Sequence, residues 1–146
     1  MRGRLARTLP ALWAGVLLCV AAIATPVPFA LLARADAGRV VARILLHEAW
    51  ISLVLGLVLL VLARVAARRQ FEAGTGTAFN TEMLLSLGAV FCSVAGYFGI
   101  QQLMPAARAG QGNFSFGQLH AASAAFFVVK AGLVLALSWR ASRAPS

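Results

Sequence analysis

Four stretches of the chain, Leu9 to Ala33, Ile44 to Ala63, Met83 to Met104 and Leu119 to Trp139, are almost wholly apolar. Each reaches the roughly 20 residues that a helix needs to cross a hydrocarbon core about 30 Å thick. Inside lipid, every backbone N–H and C=O must find a partner within the protein, so only helices and closed barrels span it. The runs lack the in-and-out alternation of barrel strands, which leaves helices. The expected fold is therefore all-α: a polytopic membrane protein with one four-helix transmembrane bundle over residues 1–146.

Composition points the same way. The chain is 61% hydrophobic and 12% charged, whereas a soluble domain is about half apolar and about a quarter charged. A net charge of +9 would suggest nucleic acid in a soluble protein, but twelve of the thirteen basic residues are Arg at or between the ends of the apolar runs. Membrane orientation accounts for them there. The lipid bilayer is the expected partner and nucleic acid is not. Cys19 and Cys92 both lie inside apolar runs, with no second Cys or His at metal-finger spacing. They read as small packing residues.

The segments between the runs read as short loops: Arg34 to Arg43 with four charges, Arg64 to Thr77 with Arg68, Arg69, Gly74 and Gly76, and the Gly-rich Pro105 to Gly117. Ser115 and Gln118 have capping-box spacing, which starts the fourth helix near Phe116. Asn80 is placed to cap the third helix with Glu82 in its first turn, and Asp36 to cap the second. Pro26 and Pro28 should kink or end the first helix near Thr25, because each removes a backbone donor.

Arg2, Arg4 and Arg7 precede the first run, and Ala22-Ile23-Ala24 resembles a signal-peptidase site. The run nevertheless continues through Phe29 to Ala33, and Pro26 follows the site closely, so a retained first span is expected; a mature chain beginning at Thr25 would refute this. Arg residues divide eight against four between the two ends of the spans. That ratio favours both termini in the cytoplasm, and the membrane expected is a bacterial inner membrane. Trp13 and Trp139 then fall near the cytoplasmic ends and Trp50 near the outer end, as an interfacial aromatic belt would.

Polar residues gather towards the outer ends: His47 and Glu48 open span two, Gln101 and Gln102 close span three, and His120 opens span four. Lys130 differs. It lies ten residues beyond His120, about 15 Å deeper and so near the bilayer midplane. An ionised lysine there costs about 2.5–3.5 kcal/mol on insertion scales and normally turns inward to a partner. Glu48 is the natural partner. The helical rise leaves a depth difference of roughly 9 Å between them, which leaning side chains or a water would bridge only in part. Ser123 and Phe127 share the Lys130 face at i, i+4 and i, i+3 spacing, so that face should point into the bundle. Three readings of Lys130 stand open: a structural pair with Glu48, a proton or ion relay through the two, and a lysine that snorkels unpaired.

His47 and His120, on different helices at similar depth, are the arrangement that a haem or a two-His copper site would need; the alternative is ordinary interfacial hydrogen bonding. No HExxH, CxxC, GxSxG or phosphate-loop pattern occurs, and Ile51 stands at the second His position of the zinc-protease motif. No catalytic residue and no cofactor is expected on this reading. Gly88, Cys92 and Gly96 recur at i, i+4 with Ala95 and Gly99 alongside, a small-residue stripe that lets another helix approach closely, in this chain or in an oligomer.

Leu12-Trp13-Ala14-Gly15, Thr25-Pro26-Val27-Pro28-Phe29 and Ala37-Gly38-Arg39, followed by Pro105 and by Leu119-His120-Ala121-Ala122-Ser123, resemble the bacterial family of the domain of unknown function 4149, related to eukaryotic transmembrane protein 205. The resemblance implies a four-helix integral membrane domain of unestablished activity. More remotely, the Leu-His-x-x-Ser opening resembles the copper-resistance D and haem-linked membrane families, in which helix-borne histidines serve metal or haem; only His120 carries over. The function expected is a structural, assembly or transport-related component, working with a second copy or another membrane protein. The alternatives are a redox protein using His47 and His120 and a conductor using Glu48 and Lys130, with Gln101, Gln102 and Ser123 as supporting polar groups.

Overall fold

The computed structural model describes residues 2–143; the side chain of Arg2, one of the charges that set the expected orientation, lies outside the description. Four long rods make the fold. The first, α1, is the helix Arg2–Cys19 continued by a π turn Val20–Ala24 and a short helix Pro26–Leu31. The second, α2, is one helix, Arg34–Glu72. The third, α3, runs Thr81–Ser93, passes through a π turn Val94–Gly99 and a 3₁₀ turn Gln101–Leu103, and ends as Met104–Arg108. The fourth, α4, is Phe116–Arg143. All four are long and apolar enough to cross a membrane, and Val54, Val61, Phe91 and Val128 are among the large apolar side chains on the outer surface.

The charged segments turn out to be helical rather than loops. Residues 34–43 are the opening turns of α2, residues 64–72 its last turns, and residues 104–108 the end of α3. Hydropathy marks where a helix stops being apolar, not where it ends; Arg and Ala are good helix formers and carry α2 on through both charged segments. The connection between α1 and α2 shrinks to Leu32 and Ala33, and Ala33, not Asp36, stands at the N-cap. Asp36 lies inside the first turn and pairs with Arg39.

The stops follow glycine chemistry. Gly74 has φ +70°, its N–H meets Phe71 O at 3.0 Å, and Thr75 N–H meets Gln70 O at 2.9 Å. Gly110 repeats this pattern at φ +70°, with Gln111 N–H on Ala106 O at 2.9 Å. These are Schellman ends, which need a left-handed residue that only glycine supplies at low cost. Starts follow capping: Asn80 Oδ1 accepts from Met83 N–H at 2.9 Å. The Ser115–Gln118 box closes reciprocally, at 2.9 and 3.2 Å.

In α1 the Pro26 ring would collide with the carbonyl of Ala22 and offers no N–H. The helix widens to a π turn, in which Thr25 N–H reaches Val20 O at 3.0 Å. The Thr25 hydroxyl donates to Val20 O and Ala21 O at 2.9 and 3.1 Å, so the disrupted carbonyls remain paired.

Each rod packs on two neighbours around a square, α1 on α2, α2 on α3, α3 on α4 and α4 on α1, leaving α2 and α4 on a diagonal. The start of α1, the end of α4 and the α2–α3 turn share one end, here the termini end; the two short connections form the hairpin end. At the centre lie Trp13, Leu17, Leu59, Ala89 and Val134. Trp13, expected at an interface, is fully buried, while Trp50 and Trp139 are exposed. The glycine stripe of α3 faces α4. A Cβ on Gly96 would stand 2.5 Å from Phe126 Cβ, and one on Gly88 3.0 Å from Leu133 Cδ1. On α2, Gly56 makes room for Trp13 and Val90 in the same way.

Candidate functional site

The polar centre is built from α2 outward. Glu48 and Ser52 are one turn apart on α2, so their side chains stack on one face, and that face is the buried one. Glu48 stands fourteen residues into α2 and Lys130 fourteen residues into α4. Both helices set out from the hairpin end, so the two residues are level, each about 21 Å along its axis. Lys130 Nζ donates to Glu48 Oε1 at 2.7 Å, and the side chains are only 4% and 3% exposed. The expected depth gap arose from starting α2 at Ile44; its ten further N-terminal residues bring Glu48 level with Lys130.

The pair crosses the diagonal of the bundle. Since α2 and α4 do not pack on each other, the long lysine stem and the glutamate span the axis where four apolar helices meet. Glu48 Oε1 also accepts from the Ser52 hydroxyl, and Ser52 Oγ in turn accepts from Trp13 Nε1 at 2.9 Å. A hydrogen-bonded chain thus joins α1, α2 and α4. Ser52 was not singled out from sequence, although the Glu48-x-x-x-Ser52 spacing was there to be read, and Trp13 was read as an interfacial aromatic rather than as part of a polar centre. The ring of Phe127 lies 5.0 Å from Lys130 Nζ and adds a cation–π contact.

From α3, Cys92, Ser93 and Tyr97 complete the wall of a cavity of about 20 Å³ beside the pair, room for about one water. The Ser93 hydroxyl donates to Ala89 O at 3.0 Å. Ser123 donates to Gly96 O at 3.1 Å, tying α4 to the π turn of α3.

Ser123 and Phe127 also border a second cavity at the hairpin end, about 450 Å³, which Thr25, Gln101 and His120 help to line. His120 stacks on Phe116, with centroids 5.9 Å apart, and the Arg108 guanidinium lies 4.8 Å from the other ring centroid of that column, Phe116. His47 is exposed, its Nδ1 is 2.7 Å from Arg43 O on the same helix, and it does not border the cavity that His120 lines. Gln102 is exposed. Among the described residues no three His, Cys, Asp or Glu side chains converge as a metal site would require. Cys92 is buried beside the pair and Cys19 is exposed.

At the termini end a third cavity, about 330 Å³, is lined by all four rods. Its floor is Ser86, 1% exposed, whose hydroxyl has no hydrogen-bond partner. Arg140 Nε meets Glu82 Oε1 at 2.9 Å at its mouth.

Residues 8–113, well over half of the chain, match the family described as Domain of unknown function (DUF4149). The match takes in α1, α2 and α3 with Glu48; α4, with Lys130 and the Leu119–Ser123 motif, lies beyond it. No curated protein and no solved structure matches the chain.

Proposed function

Because the chain belongs to the DUF4149 family, whose description assigns no activity, we propose from its geometry that it is a multi-pass protein of a bacterial inner membrane with a structural or assembly role. Both termini face the cytoplasm. Its working part is a closed four-helix bundle locked by Glu48 and Lys130, and its partners are the bilayer and a second copy or another membrane protein. One observation carries this reading: the pair is almost wholly buried, spans the diagonal, and is bonded onward to Ser52 and Trp13. An ion pair built this way fixes helix register and identity, the best-attested use of buried ionic groups. The apolar plug of Trp13, Leu59, Ala89 and Val134 separates it from the termini-end cavity.

A second reading, proton or ion movement, draws on the wall that the pair shares with the hairpin-end cavity at Ser123 and Phe127. Reconstitution into liposomes holding a pH-sensitive dye separates the two. The lock predicts proton entry no faster than in empty liposomes, together with a loss of stability in Lys130→Met. Flux in the parent protein that Lys130→Met abolishes would replace the lock by the relay. A visible spectrum with metal analysis of the purified protein tests the haem or copper alternative, which a Soret band or stoichiometric copper would favour.

A further inference from the structure

The first rod packs on α4 only as far as Cys19. Its π turn Val20–Ala24 and its last helix Pro26–Leu31 pack on α2 and not on α4, so the two rods part where Pro26 widens the helix. Facing this gap, α3 has a π turn of its own, Val94–Gly99. Two of the four rods thus leave α geometry at one level, and such turns are frequent at functional sites. The gap is the hairpin-end cavity of about 450 Å³, within the range of about 300–1,000 Å³ for small-molecule sites. Ala21, Phe29, Ala124 and Val128 border it and are exposed. It therefore opens sideways, on the apolar surface that lipid covers, and its ligand arrives from the membrane. The lining sets the chemistry of that ligand. It contains no Asp, Glu, Lys or Arg, so nothing there holds a ligand by a fixed charge. Thr25 and Ser123 already donate to backbone carbonyls. Gln101 and His120 do not: among the described residues neither side chain has a hydrogen-bond partner, and each offers an N–H donor. Phe29 and Phe127 add aromatic walls, which suit a flat ring.

We propose that this cavity binds one lipid quinone from the surrounding membrane. One ring carbonyl accepts from the Gln101 amide and the other from a ring N–H of His120. The quinone ring lies against Phe29 and Phe127, and the isoprenoid tail leaves through the gap between α1 and α4 into the bilayer. An uncharged head with two acceptors on a flat ring answers each feature of the lining. A fatty acid or phospholipid head would find no fixed cation there, and a bare hydrocarbon would leave both donors unused.

Native mass spectrometry of the full chain in detergent, titrated with decylubiquinone, tests this, with decylbenzene and dioleoylglycerol as competitors. Decylbenzene keeps a ring and the tail without carbonyls, and dioleoylglycerol is a neutral lipid whose carbonyls are esters. The expected result is one decylubiquinone per chain, displaced by neither competitor in tenfold excess. Gln101→Leu and His120→Phe should each weaken binding about five- to tenfold, the loss of one hydrogen bond; the second keeps a ring to stack on Phe116. Ala124→Trp, which fills the cavity from an exposed position on α4, should abolish binding. Circular dichroism should be unchanged in all three variants, since none of these positions is in the core. No bound quinone, displacement by decylbenzene or by dioleoylglycerol, or unchanged binding in Gln101→Leu or in His120→Phe would each overturn the proposal.

Discussion

Replacing Lys130 by Met keeps the length and apolar stem of the side chain and removes its charge, leaving Glu48 in the middle of the bundle with only Ser52 as donor. Breaking a buried pair by deleting one partner costs about 3–5 kcal/mol, because the survivor is an uncompensated charge. The depth of the pair puts this protein within that range: both side chains are at most 4% exposed, and the adjoining cavity of about 20 Å³ offers the stranded carboxylate about one water. Glu48→Gln should cost a similar amount by stranding the ammonium. The double variant Glu48→Gln, Lys130→Met carries no buried charge, so it should be more stable than either single variant, within about 1–2 kcal/mol of the parent. Denaturant titration in detergent micelles, followed by far-ultraviolet circular dichroism, measures all four corners of the cycle. A double variant whose loss equals the sum of the two singles would show that the residues do not couple, and the lock would be refuted.

Ser52→Ala should cost about 1–3 kcal/mol in the same titration, since it removes one donor from Glu48 and leaves Trp13 Nε1 buried without an acceptor; a neutral result would place Ser52 outside the polar chain. Gly96→Ala should destabilise by about 1–3 kcal/mol and Gly88→Ala by less, because a Cβ meets the Phe126 Cβ at 2.5 Å in the first case and the movable end of Leu133 at 3.0 Å in the second; the reverse order would contradict the packing of α3 on α4. Asn80→Ala should cost about 1 kcal/mol through loss of the α3 cap. Arg140→Gln should cost under about 1 kcal/mol, as its bond to Glu82 is half-exposed.

The fold was legible where the membrane dictates it. Apolar runs of spanning length fixed the number and type of elements, capping chemistry at Asn80, Ser115 and Gln118 placed two of their starts, and Pro26 and Pro28 located the irregular turn in α1. The helix ends at the charged segments were illegible to the same signal. Arg64, Arg68 and Arg69 end the apolar run, yet the chain stays helical past them until Gly74 permits a Schellman end. Trp13 misled for a related reason. Its place four residues into an apolar run that opens at Leu9 suggested an interface, whereas α1 is helical from Arg2 onward and Trp13 sits three turns along it, where Ser52 and Gly56 receive it.

The polar centre was half legible, and the missing half is a matter of helix offset. Lys130 declared itself because a lone cation in an apolar run must find a partner, and four acidic residues in the whole chain left Glu48 as the one within reach. Whether they could meet depended on where α2 begins. Moving that start from Ile44 to Arg34 gives Glu48 the same offset along α2 that Lys130 has along α4. Their positions on opposite corners of the square then turn a pairwise contact into a constraint on the whole bundle. A pair between adjacent helices would fix one interface. A pair across the diagonal requires α1 and α3 to close around it, and Trp13 from α1 with Cys92 and Ser93 from α3 do so. The register of all four rods is thereby tied to one 2.7 Å contact, so a one-turn slip of α2 or α4, about 5.4 Å, would leave two charges stranded in apolar surroundings.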